Sequence, residues 1–174
     1  MFKYIKQIGT QEDKLYNNIL LFSRNKLFYT KFDLIDTFQN RIHLIFMHIS
    51  FIFIKIKQNN KNQIYKIFYQ KIFDLTFNKI ELNMREIGFG DSTINKNMRF
   101  LVKTFYSILF NCEKYKEMRT NDKIIFFNKY LELNNIKNNI INKGIIEYFD
   151  KYEAFCFDLK TDSVLKGKLK FNYK

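Results

Sequence analysis

The most apolar stretch of the chain runs from Ile42 to Ile54, interrupted only by His43, His48 and Ser50. Apolar residues fall on every side of this segment, so no single stripe describes it. The pattern predicts a helix buried all round, starting at Asp36-Thr37-Phe38-Gln39, where Asp36 can cap and Gln39 can reach back three residues later. Lys55 and Lys57 close the run, which is shorter than the ~20 apolar residues of a membrane span. Phe51-Ile52-Phe53-Ile54 has strand propensity, but length and the cap favour a helix over about 36–57. Such a helix belongs at the centre of a domain.

The flanking pattern is also helical. Leu15, Ile19, Phe22 and Leu27 keep roughly helical spacing, and a connector follows from Phe28 to Asp33. Gln58 to Asn62 is a polar break. Gln63 to Ile87 reads as a helix with two stripes, Phe73/Phe77/Ile80/Met84/Ile87 and Ile64/Phe68/Ile72/Leu75. Ile94, Met98, Leu101, Val102, Phe105, Ile108 and Leu109 form the clearest amphipathic helix, with Lys96, Arg99 and Lys103 at helical spacing on another face. Residues 113–122 form a charged connection. Helices are expected over 123–133 and 140–155, with a polar break at 134–139. The tail, 161–174, reads as a turn with a short extended segment. The predicted fold is all-α, a single-domain helical bundle over 1–174 around the 36–57 helix, with 1–14 and 161–174 at the periphery.

Met84-Arg85-Glu86-Ile87-Gly88-Phe89-Gly90-Asp91 holds two of the five glycines in the chain. Gly88 can take the left-handed conformation that ends a helix. Asp91 or Ser92 can cap the next one. As architecture this is a helix–turn–helix corner; as a recognition feature it displays Arg85, Glu86 and Asp91 on rigid backbone.

Composition narrows the function classes. Thirty Lys and Arg against 17 Asp and Glu give a net charge of +13. A field of that sign attracts nucleic acid or an anionic membrane surface. The Lys96–Arg99–Lys103 face is read either as a solvated face or as a ridge that docks on a polyanion, the ribosome being the first candidate. The 21 Phe and 11 Tyr, with no Pro or Trp, point to AT-rich codons and supply ample core. A chain of 174 residues buries enough surface to need no metal or disulfide. Cys112 and Cys156 lack the spacing of a metal knuckle and read as small core residues in a reducing compartment. His43 and His48, five apart, lie on different helix faces and do not make a zinc pair. No nucleophile elbow, phosphate loop or dinucleotide turn occurs, so no catalytic, cofactor-binding or metal residue is expected. Met1 to Asn18 lacks the apolar run of a secretory signal. It carries Glu12 and Asp13 and has no Arg before Arg24, unlike a mitochondrial presequence. The expected location is a bacterial cytoplasm, beside the inner membrane, with the mitochondrial matrix as the alternative.

The Met84–Asp91 segment resembles the "L/M-R-E-x-G-V/F-G-D" signature of the ubiquinol–cytochrome c chaperone family, whose members assist assembly of the cytochrome bc1 complex. Ser23-Arg24 with Phe28-Tyr29 is similar to the family's early "A/S-R…F-Y". Asp36-Thr37-Phe38 with Arg41 and His48 is similar to "D-T-F/D…R…L-H". Lys96, Met98, Lys103, Phe105 and Tyr106 match the following "K…M…F-Y" helix, and Gly167 and Phe171 a late "G-x-x-x-F". Ser107-Ile108 depart from the Gly-Arg that often follows the Phe-Tyr pair. The resemblance implies a helical, non-catalytic protein. It implies Asp36, Arg41, His48, Arg85, Glu86 and Asp91 as partner-binding positions, with Lys96, Arg99 and Lys103 beside them. It also implies nascent cytochrome b or another bc1 subunit as client, work near the ribosome or the anionic inner membrane, and a small protein partner. A basic helical RNA-binding protein and a peripheral membrane protein are the competing classes.

Overall fold

The computed structural model describes residues 10–58, 63–134, 141 and 143–173. The fold is all-α. Its elements are α1 (Gln11–Ser23), α2 (Leu27–Thr30), α3 (Phe38–Lys57), α4 (Gln63–Ile87), α5 (Asp91–Glu113), α6 (Thr120–Tyr130), α7 (Lys143–Asp158) and α8 (Thr161–Leu165), with a 3₁₀ turn at Tyr115–Glu117.

The centre of the bundle is α3. Every residue from Ile42 to Phe53 is buried, and α1, α4, α5, α7 and α8 all pack on it. The all-round apolarity of the sequence is thus matched by neighbours on all sides. The cap differs from expectation: Thr37, not Asp36, accepts from the Asn40 N–H at 3.1 Å. Asp36 is drawn off by Arg41, and Gln39 turns to the His43 ring instead of the cap. No described helix is long and apolar enough to cross a membrane.

Aromatic rings fill the core in two groups. Phe105 of α5 meets Phe46 and Phe53 of α3 and Phe73 and Phe77 of α4, at centroid distances of 5.3–5.8 Å. On the other side of α3, His48 packs among Phe28 of α2 and Tyr148, Phe149 and Tyr152 of α7. Edge-to-face pairs of this kind add to plain area burial. Cys112 and Cys156 are free and buried, and burial raises both thiols well above their usual range, so neither is a reactive nucleophile.

Several boundaries move. A Thr10–Asp13 capping box starts α1 at Gln11, earlier than Leu15, and the helix stops at Ser23. Helices α6 and α7 each sit three residues away from the expected spans. On α4 the buried stripe is Phe68, Ile72, Thr76, Phe77, Ile80 and Met84, while Ile64 and Ile87 are exposed. The breaks expected at 58–62 and 134–139 fall largely outside the described residues. The tail forms α8 and then an extended run that lies against the bundle, burying Val164 and Leu169. Asn40, wholly buried, stitches two loops together: its amide donates to the carbonyls of Ile35 and Glu132, each at 2.8 Å, and its oxygen accepts from the Glu132 N–H. That brings 131–134 against the start of α3.

Candidate partner-binding surface

The turn between α4 and α5 is built by its two glycines. Gly88 has φ +99°, and the Phe89 N–H donates to Met84 O while the Gly88 N–H donates to Arg85 O. This pair of bonds closes α4 as a Schellman motif. The N-cap of α5 is Gly90, with no side-chain cap, so Asp91 stands in the first helical turn rather than capping it. Asp91 instead takes the Arg85 guanidinium at 2.6 Å, while Arg85 also holds Glu81 at 2.9 Å. Arg85 therefore clamps the two helices across the turn. Its two carboxylate bonds, first Asp91 and then Glu81, raise its pKa.

The second polar pair is Asp36–Arg41, with two parallel bonds of 2.6 and 2.7 Å. The Arg41 bond lowers the Asp36 pKa and the Asp36 bond raises that of Arg41. Both groups are about half exposed, so the pair fixes local geometry more than it adds stability. His48 is inaccessible: it is 0% exposed, with Nδ1 bonded to Leu44 O and Nε2 to the Tyr148 hydroxyl. Glu86 is exposed at the helix end. Lys96, Arg99 and Lys103 are exposed on α5, where Arg99 Nε also donates to Asn95 O of its own helix.

Between these features lies a groove of about 600 Å³. Its walls are Phe38, Gln39 and His43 from the first turns of α3, Met84 and Phe89 from the corner, Asn97, Phe100 and Leu101 from α5, and 128–132. The two polar segments singled out in the sequence thus meet at one groove through their apolar neighbours, while the Asp36–Arg41 and Arg85–Asp91 pairs do not line it. Phe89 and Phe100 are 41% and 59% exposed. The His43 Nδ1–H donates to Tyr130 O and Nε2 accepts from Gln39, and burial lowers the ring's pKa, so the ring is neutral, while Lys129 and Glu132 bring charge to the rest of the lining. An apolar wall with amide groups at its edge suits an extended or helical polypeptide segment. A second groove of about 490 Å³ opens at the far end of α5, between Phe53, Tyr65, Tyr69, Tyr106 and Phe110.

Phe89 and Phe100 were missed in the sequence because aromatic residues are common throughout this chain. The available signal was that Phe100 and Phe110 fall outside the apolar stripe of α5.

A helical, groove-bearing fold is the class these features define. The model of the ubiquinol-cytochrome C chaperone family matches residues 30–122, more than half of the chain, and the chain belongs to that family. The matched span contains α3, α4 and α5, which build the corner, the second groove and all of the first groove's walls except 128–132. The crystal structure of the Cbp3 homolog from Brucella abortus has a similar fold, with a TM-score of 0.78 at 19% identity, covering 94% of this chain and 89% of that one. Comparison with curated proteins gives no match.

Proposed function

We propose that this protein is a non-catalytic assembly chaperone for the cytochrome bc1 complex, holding a newly made subunit, cytochrome b, in the groove beside the α4–α5 corner. The observation that carries this reading is the family match over residues 30–122. The exposed Phe89 and Phe100 supply apolar contact for a hydrophobic client before it is inserted. Arg85, through Asp91 and Glu81, holds the corner in shape, and Glu86 and the α5 cations offer charged contacts at its rim. The protein works in a bacterial cytoplasm beside the inner membrane, where ribosomal RNA and lipid headgroups are both negative.

The test is deletion of the gene followed by haem difference spectra of the membranes. The b-type signal of the bc1 complex falls in the deletion strain and returns with the wild-type gene. A Phe89→Ser/Phe100→Ser variant that folds normally restores it poorly. An unchanged b-type spectrum in the deletion strain overturns the reading, and broad RNA affinity with a steep salt slope would then favour an RNA-binding protein.

A further inference from the structure

The outer face of α5 carries more than three basic residues. Lys96, Arg99, Lys103, Tyr106, Phe110 and Lys114 are all exposed and follow one another at intervals of three and four. On a helix they stay within a sector of roughly 80° over a length of about 27 Å. Phe100 flanks this line. Phe100, Tyr106 and Phe110 are 59%, 50% and 56% exposed. No carboxylate interrupts it: the adjoining Glu113 is held by Lys57 at 2.7 Å, and Asp91 by Arg85. The opposite side of α5 is committed to the core through Ile94, Leu101, Phe105 and Ile108.

We propose that this face docks the protein on a bilayer rich in anionic lipid, with α5 lying flat on the headgroups and its aromatic tips at the acyl boundary. Four cations in line complement the negative surface. Exposed aromatic rings beside them are the usual partners of a helix lying at the interface. Single-stranded RNA fits less well, because it needs free ring faces for its bases. One face of Phe110 is covered by Lys114 Nζ at 4.2 Å from the centroid, and Tyr106 leans on Phe73 and Phe105 at 5.9 and 5.5 Å. The inference goes beyond the client reading and does not depend on it.

The chain has no tryptophan, so Phe100→Trp and Phe110→Trp each give a single fluorophore, with Leu21→Trp as a control on α1. With vesicles of phosphatidylcholine and phosphatidylglycerol, the first two shift to the blue and are quenched by brominated acyl chains; the control does neither. None responds to phosphatidylcholine alone. A Lys96→Gln/Arg99→Gln/Lys103→Gln variant keeps its helical content and melting temperature, and its partitioning falls on the order of a hundredfold. A Phe100→Ser/Phe110→Ser variant, with every cation kept, also floats more weakly. The proposal is overturned if the basic variant floats like wild type, or if the α5 fluorophores stay solvent-exposed on bound vesicles. It is also overturned if the basic variant loses only binding to RNA or ribosomes. Phe110 lies outside the client groove, so a Phe110→Ser variant that floats more weakly but keeps the b-type spectrum separates this surface from the chaperone role.

Discussion

His48 is neutral and bonded on both sides. Leu44 O can only accept, so Nδ1 carries the proton, and Nε2 then accepts from the Tyr148 hydroxyl at 2.8 Å. Burial pushes its pKa from 6.5 to about 4. Protonation would place a charge among Phe22, Phe28, Phe149 and Tyr152. Between those two pKa values the unfolded chain binds a proton that the native chain refuses. Stability present above pH 6.5 is therefore lost as pH falls toward 4, by about 2 kcal/mol at pH 5. Burial lowers His43 as well, which adds in the same direction. Chemical denaturation at pH 7.5 and pH 5 measures the loss, and His48→Gln, though less stable at both, shows a smaller difference. An equal pH slope in that variant would remove His48 as the cause.

Element by element, the sequence was most legible where one signal had no rival. All-round apolarity made α3 a central helix, and scarce glycines marked the α4–α5 turn. It was least legible where neighbours compete for one role. Asp36 and Thr37 are both able caps, and only the reach of Arg41 to Asp36 decides that Thr37 serves. Asp91 and Ser92 are both able caps for α5, but Arg85 claims the Asp91 carboxylate and Gly90 takes the cap position. The groove was illegible because it joins Phe38 of α3, Phe89 of the α4–α5 turn and Phe100 of α5 through a packing that no local pattern records. The corner makes a paired prediction with opposite signs. Gly88, at φ +99°, meets no steric obstacle to a Cβ, so Gly88→Ala carries only the left-handed backbone penalty, about 1 kcal/mol. Gly90, at φ −72° and ψ 156°, already has the backbone of an N-cap and open space around it. Gly90→Ser supplies the missing acceptor and stabilises by about a few tenths of a kcal/mol. Urea midpoints of the two variants should move apart; a shift of both in one direction would contradict the cap assignments.

For the whole molecule, the contact that the sequence showed least is the one between its two ends. The tail reads in sequence as a turn with a short extended segment at the periphery. Instead Asn18 Nδ2 of α1 donates to Gly167 O at 2.9 Å, joining residues 149 apart in sequence. Beyond it Phe171 packs on Phe22, Tyr148 and Tyr152, and Tyr173 on Tyr148, which closes the His48 side of the core. Gly167 makes this possible twice over. Its φ of +65° suits glycine, and a Cβ there would stand 2.6 Å from Gln11 O, 2.8 Å from Lys14 Cβ and 2.9 Å from Leu15 N. Two of those three atoms are backbone near the start of α1, so the obstruction cannot be relieved by a rotamer change. Gly167→Ala must therefore lift the tail from α1 or shift the helix, and either opens the cover over Leu15, Tyr148 and Tyr152. The expected loss is about 2–4 kcal/mol, well above the strain of a left-handed alanine alone. The readouts are thermal melting and limited proteolysis, with cleavage first appearing after Lys166, Lys168 or Lys170. A Gly167→Ala protein that melts with wild type and resists cleavage there would show that the tail is not clamped by this contact.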